Sequence, residues 1–218
     1  ATKNFNLKKM VQVSTDEVYG SIAKGKASEK TILNPSNPYS ASKASGDLLA
    51  LSYFKTHGLN VKITRSSNNF GPYQFPEKLV PFFITNLLEG KKVPIYGKGN
   101  NSRDWLYVED NCKGIWLVGF KGKTGEIYNI GGGNEVKNID LTKRIVKLLG
   151  KNKDSIEYVA DRKGHDFRYA LDFSKIKKLG FKPSKNFEEK LVETVNWYKN
   201  NSWWWKPLKE KHLVVKNG

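Results

Sequence analysis

Two short stretches of this sequence hold side chains that could do chemistry together. Tyr39-Ser-Ala-Ser-Lys43 sets a phenol and an ammonium four residues apart, so at the start of a helix both project from one face, one turn apart. A phenol with a reference pKa of about 10 is a poor base at neutral pH. A nearby ammonium stabilises the phenolate, and such a tyrosine can take or return a hydroxyl proton while hydride is transferred. The spacing alone is common on solvated helix faces. The second stretch, Ser14-Thr15-Asp16-Glu17, places two consecutive carboxylates after an apolar run. Either carboxylate by itself reads as a helix cap or a solvated turn. Beside a redox pair the two supply an acid and a base.

The elements that must position these groups are legible as α/β alternation. Lys9 to Ser14 is a short β-branched run of the kind buried in a parallel sheet. A polar loop leads to Tyr39 to Lys43 and a helix over Ala44 to Thr56, whose Leu48, Leu49, Leu51, Tyr53 and Phe54 suit a substantially buried element closed by Gly58. Leu59 to Arg65 reads as the next strand, which makes residues 9–65 a β-loop-α-β unit of the doubly wound type. Further on, the pattern predicts helices over 79–88, 109–120, 140–149, 174–179 and 187–200, and strands over 93–96, 103–108, 126–130 and 155–160. Ligands in such folds sit at the carboxyl ends of the strands, which brings Ser14 to Glu17 and Ser66 to Asn69 to one crevice. The fold class expected is α/β: a partial Rossmann-like doubly wound parallel sheet plus a smaller C-terminal α/β lobe. Residues 1–72 are assigned to the dinucleotide-binding part and 73–218 mainly to a substrate lobe, with 103–132 returning to the first sheet.

Five ordered strings carry a family resemblance: Val13-Ser-Thr-Asp-Glu-Val-Tyr-Gly20, Pro38-Tyr-Ser-Ala-Ser-Lys-Ala44, Ser67-Asn-Asn-Phe-Gly-Pro-Tyr-Gln-Phe-Pro-Glu-Lys-Leu-Val-Pro81, Arg103-Asp-Trp-Leu-Tyr-Val-Glu-Asp110 and Tyr128-Asn-Ile-Gly-Gly132. Together with Trp203-Trp-Trp205 they resemble the dTDP-glucose 4,6-dehydratases, extended short-chain dehydrogenase/reductases, over about residues 9–205. The resemblance implies bound NAD and conversion of dTDP-glucose to dTDP-4-keto-6-deoxyglucose and water. In that scheme Tyr39 removes the sugar O4 proton as hydride leaves C4 for NAD. Lys43 holds the cofactor ribose, and Thr15 bonds near O4. Glu17 takes the C5 proton while Asp16 protonates the departing C6 hydroxyl, and the hydride returns to C6. Epimerases of the same superfamily need no elimination, so Asp16-Glu17 is the discriminating pair. By the same resemblance Ser14 and Asn69 match cofactor positions. Asn68, Lys78, Leu79, Pro94, Ile95, Tyr96, Arg103, Asn138, Asp161, Arg162 and His165 match substrate positions, with Arg103 and Arg162 on the diphosphate. Leu79, Pro94 and Ile95 equally suit plain packing. In Asp161-Arg-Lys-Gly-His165 the family more usually has proline where Lys163 stands. A UDP-glucose 4,6-dehydratase or related UDP-sugar enzyme, and a non-catalytic nucleotide-sugar-binding fragment, are the competing readings.

The family's opening strand and glycine-rich Gly-x-x-Gly-x-x-Gly turn, which cradles the cofactor pyrophosphate, do not occur in this sequence. The expectation is that the first half of the dinucleotide-binding domain lies upstream of Ala1, that this chain alone is aggregation-prone, and that it does not turn over by itself. The full-length enzyme is expected to be a homodimer.

Composition bounds the rest. With 38% hydrophobic, 12% aromatic and 27% charged residues, the 218-residue chain has the makings of an apolar core and no bilayer-length apolar run. No secretory signal pattern opens it, so a cytoplasmic location is the default. The net charge of +17 is spread over scattered lysines with no basic run of five, which argues for a solvated surface and against nucleic acid. The single cysteine, Cys112, excludes an intrachain disulfide framework and a cysteine zinc site, and its setting in a helix suggests a buried thiol. No metal site is expected.

Overall fold

The structure, a computed structural model, describes residues 3–4, 7–162, 164–184 and 186–216, without the side chains of 211–216. Lys163, where the family more usually has proline, lies outside the described residues. In chain order the elements are β1 (Met10–Thr15), a one-turn 3-10 helix (Asp16–Tyr19), α1 (Pro38–His57), β2 (Val61–Ser66), β3 (Asn68–Phe70), α2 (Leu79–Leu88), β4 (Val93–Tyr96), β5 (Ser102–Tyr107), α3 (Val108–Lys121), β6 (Ile127–Ile130), β7 (Glu135–Lys137), α4 (Asn138–Leu148), β8 (Ile156–Val159), α5 (Ser174–Lys177), α6 (Phe187–Asn200) and α7 (Ser202–Lys216). The chain divides into two compact units, residues 1–69, 101–135 and 163–184 in the first and 70–100, 136–162 and 185–218 in the second.

The first unit is built on a parallel sheet in the order β1-β2-β6, with Val13 opposite Thr64 and Ser66 opposite Ile130. Every residue of β2 is buried, as its unbroken Val-Lys-Ile-Thr-Arg-Ser run between two neighbours requires. Helix α1 starts where the sequence can satisfy its free amides. Asn37 accepts from Ser40 N while Ser40 Oγ takes up the Asn37 amide, and Pro38 fills the first turn. It ends at Gly58, whose φ of 64° lets its amide reach Phe54 O at 2.8 Å. A core of Leu106, Val118, Tyr128, Ile130, Phe173, Ile176 and Phe181 joins α3, α5 and the sheet. Helix α3 comes this close because Gly114 has no Cβ; one added there would stand 2.9 Å from Ile130 Cδ1.

Three expectations are corrected here. Helix α1 is not substantially buried: Leu48 and Leu49 are 59% and 61% exposed and Tyr53 is exposed as well. Its buried residues are Ser40, Ala44, Asp47 and Ala50, so the helix lies on the sheet largely through small side chains and turns Leu48 and Leu49 outward. Cys112 is likewise exposed, because α3 buries the stripe of Asp110, Gly114 and Val118 and carries the thiol on another face. The segment 164–184, read as part of the later lobe, belongs to the first unit. Ala27 N donates to Ala170 O and Asp172 N to Ala27 O, both at 2.8 Å, stitching it to the loop before α1.

The second unit pairs β4 with β8 in parallel and packs α2, α4 and α6 on one another. Phe83, Ile84, Leu87, Leu141, Ile145, Leu191 and Val195 fill its core. Tyr198 OH donates to Gln74 O at 2.6 Å and Trp205 Nε1 to Tyr198 O at 2.9 Å. The second bond ties the tryptophan-rich tail, which forms a helix, α7, that the sequence did not announce, to the end of α6.

Candidate active site

β1 runs directly into the carboxylate pair. Thr15 is the cap of the one-turn helix, its Oγ1 accepting Glu17 N and donating to Asp16 Oδ1, both at 3.3 Å. Asp16 is only 3% exposed. Its Oδ2 accepts no hydrogen bond from the described residues. Burial pushes the Asp16 carboxyl well above the usual carboxylate range, and the negative charges of Glu17 and Asp104 push it the same way. Arg103 and the Thr15 hydroxyl pull it back less strongly. The shift favours the protonated form of Asp16, and a carboxylic acid beside a second carboxylate is an arrangement that could supply an acid and a base.

Arg103 acts through its charge on both carboxylates of this pair. It is buried, with Nη1 donating to Ser102 O at 2.8 Å and Phe167 O at 3.2 Å, Nη2 donating to Asp166 O at 2.8 Å, and its guanidinium 4.4 Å from the Tyr169 ring centre. Asp104 beside it accepts the amides of Asn134 at 2.7 Å and Gly132 at 3.1 Å, which oppose the upward push of burial on its carboxyl. The Asp166 carboxylate accepts from Tyr169 OH at 2.6 Å and from Ser36 Oγ, one residue before the α1 cap.

Tyr39 and Lys43 sit at the start of α1. Tyr39 is 55% exposed in the first turn, and Lys43 Nζ donates to Val13 O at 2.6 Å. That bond brings the lysine to the end of β1 beside Ser14, whose Oγ donates to Asp47 Oδ2 at 3.0 Å. After β2, Asn69 Nδ2 donates to Ser67 O at 3.0 Å, and the buried Asn68 Oδ1 accepts no bond from the described residues. Ser14, Thr15, Asp16, Glu17, Lys43 and Arg103 thus fall in one neighbourhood of the first unit, and Tyr39, Asn68, Asn69 and the half-buried His165 belong to the same unit.

Lys78, Leu79, Pro94, Ile95, Tyr96, Asn138, Asp161 and Arg162 belong to the second unit. There the Arg162 guanidinium stands 4.7 Å over the Tyr96 ring, and Arg162 N donates to Asp161 Oδ1 at 2.8 Å. The buried Asn138 Oδ1 accepts no bond from the described residues, an acceptor site suited to a ligand. Ile95 is fully buried, close against Gly99, which is a packing position. Lys78 pairs with Glu77 at 3.1 Å on the surface, and Leu79 and Pro94 are half-buried. Sequence reasoning passed over Asp47, Arg65, Asp166 and Tyr169. A charged residue inside an apolar run, as in Gly46-Asp47-Leu48-Leu49, was the available signal. Among the described residues no cluster of His, Cys, Asp and Glu could hold a metal ion.

Residues 1–194 match the family model described as GDP-mannose 4,6 dehydratase. The chain is 52% identical to a dTDP-glucose 4,6-dehydratase of Streptomyces niveus over 96% of its own length and 62% of the relative's. It is 56% identical to one of Streptomyces antibioticus over 92% and 60%. A crystal structure of the dTDP-glucose 4,6-dehydratase of Streptomyces venezuelae with NAD bound superposes with a TM-score of 0.93 at 51% identity, covering 95% of this chain and 65% of that one. This chain spans about 60% of the length of the curated relatives it matches. The α/β architecture with a Rossmann-like parallel sheet is the one expected from the sequence. On the strength of the family match and these relatives, the chain belongs to the nucleotide-sugar dehydratase family whose model is described as GDP-mannose 4,6 dehydratase.

Proposed function

We propose that this chain supplies the redox, acid and base side chains of a dTDP-glucose 4,6-dehydratase, which converts dTDP-glucose to dTDP-4-keto-6-deoxyglucose and water. The observation that carries the reading is the buried Asp16 next to Glu17 at the end of the strand that also receives Lys43. A superfamily enzyme that only oxidises and reduces C4 has no use for that second acid.

The residues suit the nicotinamide-ribose end of NAD. The Lys43 ammonium and Ser14 hydroxyl sit at the carboxyl end of β1. NAD, when bound, would accept a hydride from C4 and give it back at C6. Tyr39 takes the O4 proton, with Lys43 stabilising the phenolate and Thr15 bonding near O4. The C4 ketone so formed acidifies the C5 proton, which Glu17 removes. Asp16 delivers its proton to the C6 hydroxyl, which leaves as water, and Glu17 returns its proton to C5 as C6 is reduced. Arg103 and Arg162 are assigned to the diphosphate, and Asn69 to the cofactor. Asn68, Lys78, Leu79, Pro94, Tyr96, Asn138, Asp161 and His165 are assigned to the nucleotide sugar, whereas Ile95 packs in the core. The reading carries with it a cytoplasmic setting and a homodimeric full-length enzyme.

The test joins this chain to the N-terminal segment of one of its dehydratase relatives and supplies NAD with dTDP-glucose or UDP-glucose. Mass spectrometry is expected to show loss of one water from the dTDP-sugar at the higher kcat/KM. Equal or greater dehydration of UDP-glucose would move the assignment to a UDP-sugar enzyme. The rate should also fall as pH rises through the raised Asp16 value, because a general acid works only while it holds its proton. A pH profile of kcat that stays flat on its alkaline side would contradict Asp16 as the acid.

A further inference from the structure

We infer that Asp47, paired with Arg65, is a positioning residue that sets Lys43 and Ser14 in their working places; its catalytic consequence rests on the dehydratase reading. Tyr39, Lys43 and Asp47 follow one another at four-residue steps, so they run along one face of α1. Asp47 is fully buried. Its Oδ2 accepts from Ser14 Oγ at 3.0 Å, on β1, and from Arg65 Nε at 2.9 Å, on β2. Arg65 Nη1 donates to Tyr19 OH at 3.0 Å, and that hydroxyl donates to Asn129 Oδ1 at 2.8 Å, on β6. One polar chain therefore joins the redox helix to all three strands of the sheet and to the one-turn helix that begins with Asp16.

What makes this more than stitching is how little else locates the first half of α1. The other buried residues of the helix are Ser40, Ala44 and Ala50. Small side chains permit close approach but interlock weakly, so they leave the helix free to slide or turn. The larger Leu51 and Phe54 pack only at its far end. A buried carboxylate facing a guanidinium has one favourable geometry, and breaking it strands a charge. The Asp47 contact fixes α1 one turn beyond Lys43, and so fixes the span over which Lys43 reaches Val13 O. Asp47 as a carboxylate also obliges the Ser14 hydroxyl to donate inward, leaving its lone pairs for a ligand. Burial raises the Asp47 carboxyl, while Arg65, Ser14 and Lys43 pull it back.

The test separates positioning from stability. Asp47→Asn leaves Arg65 buried without a counter-charge and is expected to lower Tm by roughly 10 °C. The double variant D47L/R65M removes both ions and is expected to recover that Tm. In the double variant the 15N ammonium resonance of Lys43, assigned by its absence in Lys43→Arg, should still be lost to rapid solvent exchange. In the dehydration assay described above, kcat should fall about 100-fold, the scale of an ångström of misplacement, with KM for the dTDP-sugar unchanged. Recovery of Tm, the Lys43 resonance and kcat together would make the pair merely structural and overturn the inference. If Asp47→Asn fails to fold, the double variant decides alone. If the resonance behaves as expected while the unsubstituted enzyme forms no 4-keto product, the positioning stands and the dehydratase reading is what fails.

Discussion

An Asp16→Asn enzyme is expected to dehydrate dTDP-glucose about 10²–10⁴ times more slowly, the usual scale of a lost general acid, while still oxidising the substrate at C4. The amide is nearly isosteric and can still meet the Thr15 hydroxyl at Oδ1, so the turn should persist. What it lacks is a proton to give to the C6 hydroxyl. Exchange of the C5 hydrogen with deuterated solvent, which needs Tyr39, Lys43 and Glu17 but not Asp16, should continue. The stability change has the opposite sign to the activity change. A carboxyl whose folded pKa is raised binds its proton more tightly in the native state than in the unfolded one. Its contribution to stability is complete below the unfolded value and is lost as pH rises through the folded value. Removing the titration should therefore leave Tm at pH 8 equal to or above that of the unsubstituted protein. Loss of C5 exchange together with water loss would show that Asp16 acts earlier than elimination. A large fall in Tm at pH 8 would show that its carboxylate is structural.

The second large effect is mechanical. A Cβ at Gly132 would stand 2.1 Å from Trp105 O and 2.8 Å from Trp105 C, backbone atoms of the wholly buried β5. No rotamer relieves such a contact, so Gly132→Ala must displace the strand. The cost should be about 3 kcal/mol or more, at the upper end of overpacking, or roughly 10 °C in Tm. The displaced strand carries Arg103 and Asp104, and Gly132 N itself bonds Asp104 Oδ2 at 3.1 Å, so activity should fall with stability. Gly90→Ala is the control: its φ of 72° is left-handed but nothing lies within 4 Å of the added carbon. That variant should lose only about 1–2 kcal/mol, the strain of a left-handed non-glycine residue. Equal melting of the two variants would refute the steric account.

The parts of this chain that could be read from sequence are those whose signals are local. The β-branched run of β2, the Gly58 stop and the Asp-Trp-Leu-Tyr stretch of β5 each announce their element, and Tyr39, Lys43, Asp16 and Glu17 stand out by residue type as candidates for the proposed chemistry. The misreadings concern what an element faces, which is a non-local fact. Leu48 and Leu49 looked like core until the sheet took Ala44, Asp47 and Ala50 instead, and Cys112 was misjudged for the same reason. Membership of residues 164–184 in the first unit depends on Ala27 meeting Ala170, contacts 143 positions apart in sequence that no periodicity encodes. Asp47 and Arg65 were passed over because a carboxylate in a helix and an arginine ending a strand ordinarily face water, and the apolar run around Asp47 is only a weak sign to the contrary.

The small-residue seat of α1 has a consequence for motion. The apolar area tethering a helix largely sets the free energy of opening it, and here that tether is uneven. Toward His57 the helix is held by Leu51 and Phe54, whereas toward Tyr39 it is held by Ser40, Ala44, one capping asparagine and one ion pair. The turn that carries the redox tyrosine is thus placed at the low end of the local-unfolding scale, from which ligand-responsive segments are drawn. A bound dinucleotide and sugar would then contribute order as well as reactants, by quieting the end of the helix that the apolar core leaves loose.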